Sequence, residues 1–412
     1  MGENTTPTST RDLVWMPAWT RAQGEQRARS HLSQALGVDA DGVWSAPGQL
    51  TIIGEHTDYN NGLTLPTITP HRTFVAAKLR DDDRVRMASD NAVFDDNGGQ
   101  VWEGTLDSIS AETAAGWPSY AAGVLWALQE HGLTGKGVDL GIVSCVPWST
   151  GLSNSASVEA AVARAMNDLW KLSLDSEAGL SELAEACTDG ENQIARMATG
   201  GLGQHAVLRC HDNEAILLDF RDSIPDATAC PLYFPDYGLA MLVIDTMVRF
   251  HIPGGVSGMR KEECMRAAEE LGLSSLRDLH HDPARLNRLV ELSDETLRKR
   301  ARHVYSENDR VMLVKEELSG TGPAHERFVS IGKALSRSHT SLAADFEVSC
   351  PELDLAVQAA SMAGALGARM VGGGFGGPAV ALIRRSLAER TAHAIAQAFR
   401  DHGYDDPHFL LV

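Results

Sequence analysis

The clearest alternation of hydrophobic and polar positions lies between residues 139 and 169. The apolar run 139–145 predicts a buried strand. After a loop rich in small residues, Val158, Val162, Met166 and Leu169 recur on one face of a predicted helix. This part of the chain is therefore predicted to form a strand, a loop and an amphipathic helix in succession.

The same reasoning predicts further helices and strands, which are partly segregated along the chain and indicate an α+β fold. The region 283–338 is predicted to be rich in helix, and Gly37 and Gly272 are the expected ends of two helices. A turn-rich stretch places the predicted domain boundary near 205–225, which divides the chain into a flexible tail (1–14), an N-terminal lobe (15–215) and a C-terminal lobe (216–412). Predicted helices are 20–36, 117–131, 260–271 and 387–402, and predicted strands are 50–53, 73–79, 84–88, 214–220, 239–245, 379–383 and 409–412.

Composition narrows the class of protein. Of the 412 residues, 43% are hydrophobic and 22% charged, as in ordinary globular proteins. The net charge of −19 argues against a nucleic-acid partner, because phosphate contacts need clustered Lys and Arg. Six scattered cysteines without a CxxC pair suggest neither a zinc site nor a disulfide framework. With no secretory signal and no run of 18 apolar residues, we expect a cytoplasmic protein without a membrane partner, as a monomer or weak oligomer.

The loop between the predicted strand and helix is the first candidate site. Gly151, Leu152, Ser153, Asn154 and Ser155 place free backbone N–H groups at a helix N-terminus, where the helix dipole favours phosphate. Taken alone, a Gly/Ser loop before a helix is also consistent with plain N-capping.

Two further motifs change that interpretation. The N-terminal motif, residues 45–60, reads SAPGQLTIIGEHTDYN, and the C-terminal motif, residues 369–377, reads RMVGGGFGG. Together with the loop 146–157, these motifs resemble the three signatures of the galactokinase family, a branch of the superfamily of homoserine, mevalonate and phosphomevalonate kinases. The similarity runs from about Trp44 to the C-terminus.

The resemblance implies a two-lobed GHMP kinase fold with the active site in the cleft between the lobes. It implies an ATP-dependent sugar kinase that transfers a phosphoryl group to the C1 hydroxyl of galactose or a related sugar, with ATP and Mg²⁺. It assigns sugar binding to Glu55, His56, Asp58 and Gly200, nucleotide binding to Ser89, Trp117, Tyr120, residues 151–155, Gly373 and Gly374, and the metal to Ser155 and Glu191.

If the family resemblance is set aside, several of these residues have simpler interpretations. The Glu55–His56–Asp58 cluster is also compatible with a metal site. Glu191 is compatible with a solvated helix carboxylate, and Trp117 and Tyr120 are compatible with core aromatics.

The departures from the family motifs concern catalysis. The family has an Arg after the Gly of APG, where this chain has Gln49, and an Asp in its MDQ triplet, where this chain has Gly203. These are the family's two catalytic side chains, so we expect impaired or altered catalysis. The alternative is an inactive galactokinase-like protein that binds sugar or nucleotide as a sensor or regulator, with an unknown regulatory partner.

Other differences leave specific questions open. His205 is the first candidate for a substitute base, followed by Asp90 and Asp95. Ser149 replaces a family Gly, and its side chain could crowd the position of the nucleotide phosphates. Ser257 stands where the family has a sugar-contacting Tyr, and residue 203 could use a φ that suits only glycine.

Overall fold

The computed structural model describes residues 12–90, 101–148, 151–249, 256–280 and 287–412. Within these ranges the chain forms helices and strands that alternate with short 3₁₀ turns. The strands are β1 Val14–Trp15, β2 Gly42–Ile53, β3 Leu63–Leu79, β4 Arg84–Ser89, β5 Val101–Thr105, β6 Val138–Ser144, β7 Glu214–Asp219, β8 Asp226–Pro231, β9 Leu239–Asp245, β10 Gly367–Met370, β11 Pro378–Arg384 and β12 His408–Leu411. The helices are α1 Arg21–Leu36, α2 Pro118–Glu130, α3 Asn154–Leu169, α4 Glu177–Gln193, α5 Leu202–Arg209, α6 Val256–Glu270, α7 Glu295–Ser319, α8 Ala324–Ala344, α9 Pro351–Met362 and α10 Ala388–Asp401.

The strands form two sheets. The first has the order β5-β4-β6-β3-β7-β8, and β2 also pairs with the long strand β3. The second has the order β1-β12-β9-β11-β10. Most neighbouring strands are antiparallel, with β4–β6 and β1–β12 as the parallel pairs. Helices and sheets therefore mix as predicted for the α+β class.

Helix α1 shows how local chemistry sets an element. The Thr20 side chain accepts a hydrogen bond from the backbone of Gln23, whose side chain in turn accepts from the Thr20 N–H, and this is a capping box. Gly37 ends the helix at φ +71°, a left-handed conformation that glycine adopts without steric cost. Both ends agree with the sequence prediction for 20–36.

A shared hydrophobic core joins the two sheets. Leu50 of β2 and Leu65 of β3 pack in one cluster with Val243 of β9, Val380 of β11 and Ile331 of α8, and all are fully buried. The loops that follow β2 and β10 and precede α3 consequently meet at one place, and this place is the cleft described below.

The position of the boundary between the lobes differs from the predicted one. β7 pairs with β3, and β8 pairs with β7, so residues 214–231 belong to the first sheet rather than to the second lobe. The change of sheet falls between Pro231 and Leu239, not at 215/216. β1 pairs with the last strand β12, so the second sheet contains both ends of the described chain.

Two further findings concern the chain as a whole. All six cysteines are free thiols. In the described part of the chain, no helix has the length and hydropathy needed to cross a membrane.

Candidate active site between the two sheets

A cleft of about 540 Å³ opens between the two lobes, a size typical of small-molecule sites. The first lobe contributes most of its walls, and the loop after β10 closes one side. Three separate sequence motifs thus meet in one cavity. The lining residues are Gln49, Thr51, Glu55, His56, Asp58, Tyr59, Tyr120, Trp148, Gly151, Leu152, Ser153, Asn154, Ser155, Glu191, Met197, Ala198, Thr199, Gly200, Leu202, Gly203, Gly372 and Gly373.

The N-terminus of α3 faces this cleft. Ser153 precedes the helix at φ +51°, and its side chain makes no capping hydrogen bond to the helix backbone. Asn154 donates from Nδ2 to the Val146 carbonyl at 2.8 Å, which ties the loop to the end of β6. The uncapped first turn and the helix dipole together suit an anionic group. Ser149 lies outside the described residues, so its effect on this loop stays a prediction.

The glycine loop lies against the α3 loop. A Cβ on Gly151 would lie 3.3 Å from the Val371 carbonyl, and Gly151 itself has φ +61°. Gly372 and Gly373 line the cleft, whereas Gly374 does not. Gly374 packs on the backbone of Val348, where a Cβ would come within 2.2 Å of the carbonyl oxygen. The close approach of the two loops therefore depends on missing side chains.

A buried ion pair links the first motif to the third. Arg369 is fully buried and donates to the Ile52 and Thr51 carbonyls at 2.9 and 2.7 Å and to Glu55 Oε1 at 3.1 Å. The same Glu55 oxygen accepts from the Gly372 N–H at 2.9 Å. Burial raises the pKa of Glu55, and Arg369 opposes that effect. Glu55 thus holds the glycine loop in place with one oxygen, a role that the sequence did not reveal.

His56 and Asp58 present polar atoms to the same cavity. His56 Nδ1 lies 2.9 Å from the Tyr59 hydroxyl, and its Nε2 is buried without a hydrogen-bond partner among the described residues. Burial lowers the pKa of His56 to about 3, so the ring is neutral at neutral pH. Burial raises the pKa of Asp58, and a Cβ on Gly200 would lie 2.5 Å from Asp58 Oδ2. Gly200 therefore leaves the room that the Asp58 carboxylate occupies.

Gln49 and Gly203, the two predicted departures from the family motifs, face each other across Ser153. Gln49 is 3% exposed, and its Nε2 donates to Ser153 Oγ at 2.7 Å. A Cβ on Gly203 would lie 3.0 Å from that same Oγ and 3.0 Å from the Ala156 Cβ. Gly203 has no positive φ and sits in the first turn of α5, so its backbone does not require glycine. The obstacle to a side chain at 203 is crowding by Ser153.

A pair of buried carboxylates lies beside the α3 loop. Burial raises the pKa of Glu191, and the neighbouring Ser155 and Gln204 side chains oppose that effect. Gln204 donates from Nε2 both to Glu191 and, at 2.8 Å, to Glu159. Glu159 is fully buried with Oε1 unpartnered, and burial and the neighbouring Glu191 raise its pKa. Uncompensated buried carboxylates next to a hydroxyl are a donor set that fits a hard divalent cation. The sequence indicated Ser155 and Glu191 but missed Glu159 and Gln204.

Some predicted residues lie elsewhere. Tyr120 lines the cleft, and burial and then Glu191 raise its pKa, but Trp117 and Ser89 do not line it. His205 is also outside the lining, with Nε2 2.7 Å from Glu185 and Nδ1 3.2 Å from Arg209. Because both of its ring nitrogens have partners away from the cleft, the structure does not support His205 as the substitute base.

Asp90 is likewise outside the lining of the cleft, and burial raises its pKa to about 6. Asp95 and the side chain of Ser257 lie outside what the structure describes.

Comparison with known proteins gives consistent matches. Residues 31–79 match the profile of the galactokinase galactose-binding signature, residues 119–209 that of the GHMP kinases N-terminal domain, and residues 317–401 that of the GHMP kinases C-terminal domain. A galactokinase of Streptomyces coelicolor is 38% identical over 91% of this chain and 92% of its own length. A galactokinase of Mycobacterium tuberculosis (strain H37Rv) is 36% identical over 88% of this chain and 95% of its own.

Solved structures agree with the sequence matches. The crystal structure of Lactococcus lactis galactokinase complexed with galactose is 28% identical, with a TM-score of 0.82 over 93% of this chain and 96% of that chain. A Methanococcus jannaschii mevalonate kinase, 14% identical with a TM-score of 0.59 over 90% of this chain and 96% of that chain, shares the fold. The predicted two-lobed GHMP kinase fold is thereby confirmed.

Proposed function

The chain belongs to the galactokinase family and is a galactokinase-like sugar kinase, and we propose that it transfers a phosphoryl group from ATP to the C1 hydroxyl of galactose or a related sugar. The observation that carries this proposal is the convergence of three separate motifs, together with Glu191, in one cleft. We further propose that this transfer is slow, because the two catalytic side chains of the family are replaced.

The sugar is proposed to bind against Asp58 and His56. The Asp58 carboxyl oxygens accept hydrogen bonds from ring hydroxyls, and Nε2 of the neutral His56 ring, which has no partner among the described residues, is available for another. A sugar that satisfies these buried groups is favoured over one that leaves them unpaired, because a buried polar group without a partner is costly.

The nucleotide phosphates are proposed to lie between the α3 N-terminus and Gly372–Gly373. Backbone N–H groups and the helix dipole hold negative charge there without a lysine. Ser155 and Glu191 are the residues that would hold Mg²⁺, with Glu159 behind them. When bound, Mg²⁺ neutralises phosphate charge and orients the transferred group. Of the two aromatic residues predicted to border the nucleotide, Tyr120 lines the cleft and is the one proposed to contact it.

The chemical step has little help from side chains at the attacking hydroxyl. Gln49 offers a neutral N–H that Ser153 already accepts, and Gly203 offers no group. A positioned base contributes ~10²–10⁴ in rate, so we expect phosphorylation of galactose at least ~100-fold slower than in family members that have the Asp. What remains is positioning by the cleft, which supplies a large part of phosphoryl-transfer catalysis.

The test combines binding and turnover in one preparation. Galactose and Mg-ATP are titrated calorimetrically, and ADP formation is measured with galactose, related hexoses and no sugar. Binding of both ligands with slow, sugar-dependent ADP formation supports the proposal. Binding of both without any sugar-dependent turnover would make the chain a sensor rather than a kinase. Failure of both ligands to bind a correctly folded protein would refute the site itself.

A further inference from the structure

A second cavity of about 350 Å³ lies on the far side of the first lobe. It is lined by residues of α3, α5, β2 and β3 and contains no residue of the cleft. Helix α3 begins in the cleft at Asn154 and reaches this cavity at Arg164, ten residues later, which is about 15 Å along the helix axis. The second cavity is therefore a separate site within the same lobe.

Two arginines of this cavity are partly buried and form no direct ion pair with a described carboxylate. Arg72 donates from Nε to Ser45 Oγ at 3.1 Å and from Nη2 to the Ser45 carbonyl at 3.4 Å. Arg164 donates from Nη2 to the Leu208 carbonyl at 3.0 Å. No carboxylate of the described chain lies within the 4.0 Å ion-pair distance of either guanidinium. Arg72 Nη1 and Arg164 Nε and Nη1 have no protein acceptor in the described chain.

Each of the two guanidinium groups is partly desolvated, and a carboxylate that lines the cavity partly offsets the cost of burying its charge. Burial lowers the pKa of Arg72, Asp212 opposes that effect, and the smaller contribution of the Arg164 charge lowers the pKa further. Burial likewise lowers the pKa of Arg164, and the Asp175 carboxylate, which also lines the cavity, opposes that effect. Both groups stay charged at neutral pH, and two partly buried like charges are best compensated by a shared anion. The fork of guanidinium N–H donors matches the oxygens of a phosphate.

The cavity is also lined by two carboxylates, Asp168 and Asp175, that can accept hydrogen bonds. Asp168 Oδ2 accepts from Trp44 Nε1 at 2.6 Å, and Asp175 Oδ1 accepts from Asn167 Nδ2 at 2.9 Å. Each of these carboxylates retains a second oxygen without a protein donor in the described chain, and such oxygens accept hydrogen bonds from hydroxyls. The cavity thus combines donors for a phosphate with acceptors for hydroxyl groups.

We infer that this second cavity binds a sugar monophosphate, with its phosphate on Arg72 and Arg164 and its hydroxyls toward Asp168 and Asp175. A sugar monophosphate has an anionic end that matches the two arginines and a hydroxyl-rich end that matches the two carboxylates. The inference depends on the cavity alone and not on the proposed activity of the cleft.

The experiment titrates galactose 1-phosphate, inorganic phosphate and galactose into the wild type and into R72Q and R164Q. The matched control is R390Q, which removes the same charge from an exposed arginine of α10. Wild type and R390Q are expected to bind galactose 1-phosphate at a site that galactose and ATP do not displace. R72Q and R164Q are each expected to weaken that binding by at least about tenfold while their ATP binding is unchanged.

Three results would overturn the inference. Binding of galactose 1-phosphate that is unchanged in R72Q and R164Q would exclude the cavity. Inorganic phosphate that binds as tightly as the sugar phosphate would show an anion site without sugar recognition. If the variants do not fold, hydrogen exchange of the wild type decides. In that case, absence of sugar-phosphate protection around Cys210 and Asp212, which line the cavity, would exclude the site.

Discussion

Restoring the two replaced catalytic side chains gives the sharpest test of how this cleft works. The structure places positions 49 and 203 on either side of Ser153 Oγ, at 2.7 Å from Gln49 Nε2 and at 3.0 Å from a Cβ on residue 203. An Arg at 49 and an Asp at 203 would therefore lie beside each other on the wall of the cleft. We expect Gln49→Arg and Gly203→Asp together to raise turnover by ~10²–10⁴, the contribution of a positioned base.

The single substitutions are expected to behave differently. Gln49 is 3% exposed, so an Arg without the Asp is a nearly buried charge without an acidic partner, which costs about 3–5 kcal/mol of stability. An Asp alone at 203 lies in the first turn of α5, where the dipole stabilises it by about 0.3–1 kcal/mol, but it crowds Ser153. Each single variant should thus gain little activity, and the double variant should exceed their combined effect.

The assay is a coupled measurement of ADP formation, with urea unfolding of all four proteins of the mutant cycle. Gln49→Arg with Gly203→Asn is the matched control, because Asn has nearly the shape of Asp but cannot act as a base. Additive effects of the two substitutions, or equal activity of the Asn control, would refute the reasoning. Wild-type turnover of ~1–100 s⁻¹, the usual range of kinases, would show that neither side chain is needed.

Three other predictions address the binding groups and the fold. Asp58→Asn should raise the Kd for galactose about tenfold or more, because hydrogen bonds to a charged acceptor are lost, while calorimetry shows unchanged ATP binding. Glu191→Gln should raise the Mg²⁺ concentration needed for ATP binding, whereas Glu182→Gln, a half-buried position on the same helix, should not; equal effects of the two would contradict the metal assignment. Burial lowers the pKa of His303 from 6.5 to about 4, so the folded state resists a proton that the unfolded state takes up, and stability falls as pH drops from about 6.5 to 4. In His303→Gln, the decrease in the free energy of unfolding between pH 6.5 and 4 should be smaller by about 3 kcal/mol. Urea unfolding that shows the same pH dependence of stability in the variant and the wild type would contradict this prediction.

Local sequence determined most elements and the three motifs of the cleft. The ends of α1 follow from Thr20 and Gly37, since capping is decided by residues a few positions apart. The N-terminal motif and the α3 loop are each a short continuous stretch of sequence, so the family resemblance could be recognised in them and could indicate their chemistry. The family resemblance also identified Gln49 and Gly203 as departures, because each lies inside a motif with a fixed pattern.

Only the tertiary structure decided how distant segments share their polar groups. Glu55 and Arg369 are 314 positions apart, and no periodicity of the chain reveals that they form a buried pair beneath the glycine loop. Gln204 and His205 are neighbours in sequence, yet α5 turns one toward Glu159 and Glu191 and the other toward Glu185. Adjacent helical residues point about 100° apart, so which of them reaches a cleft depends on how the helix packs, and packing is set by contacts between residues far apart in sequence.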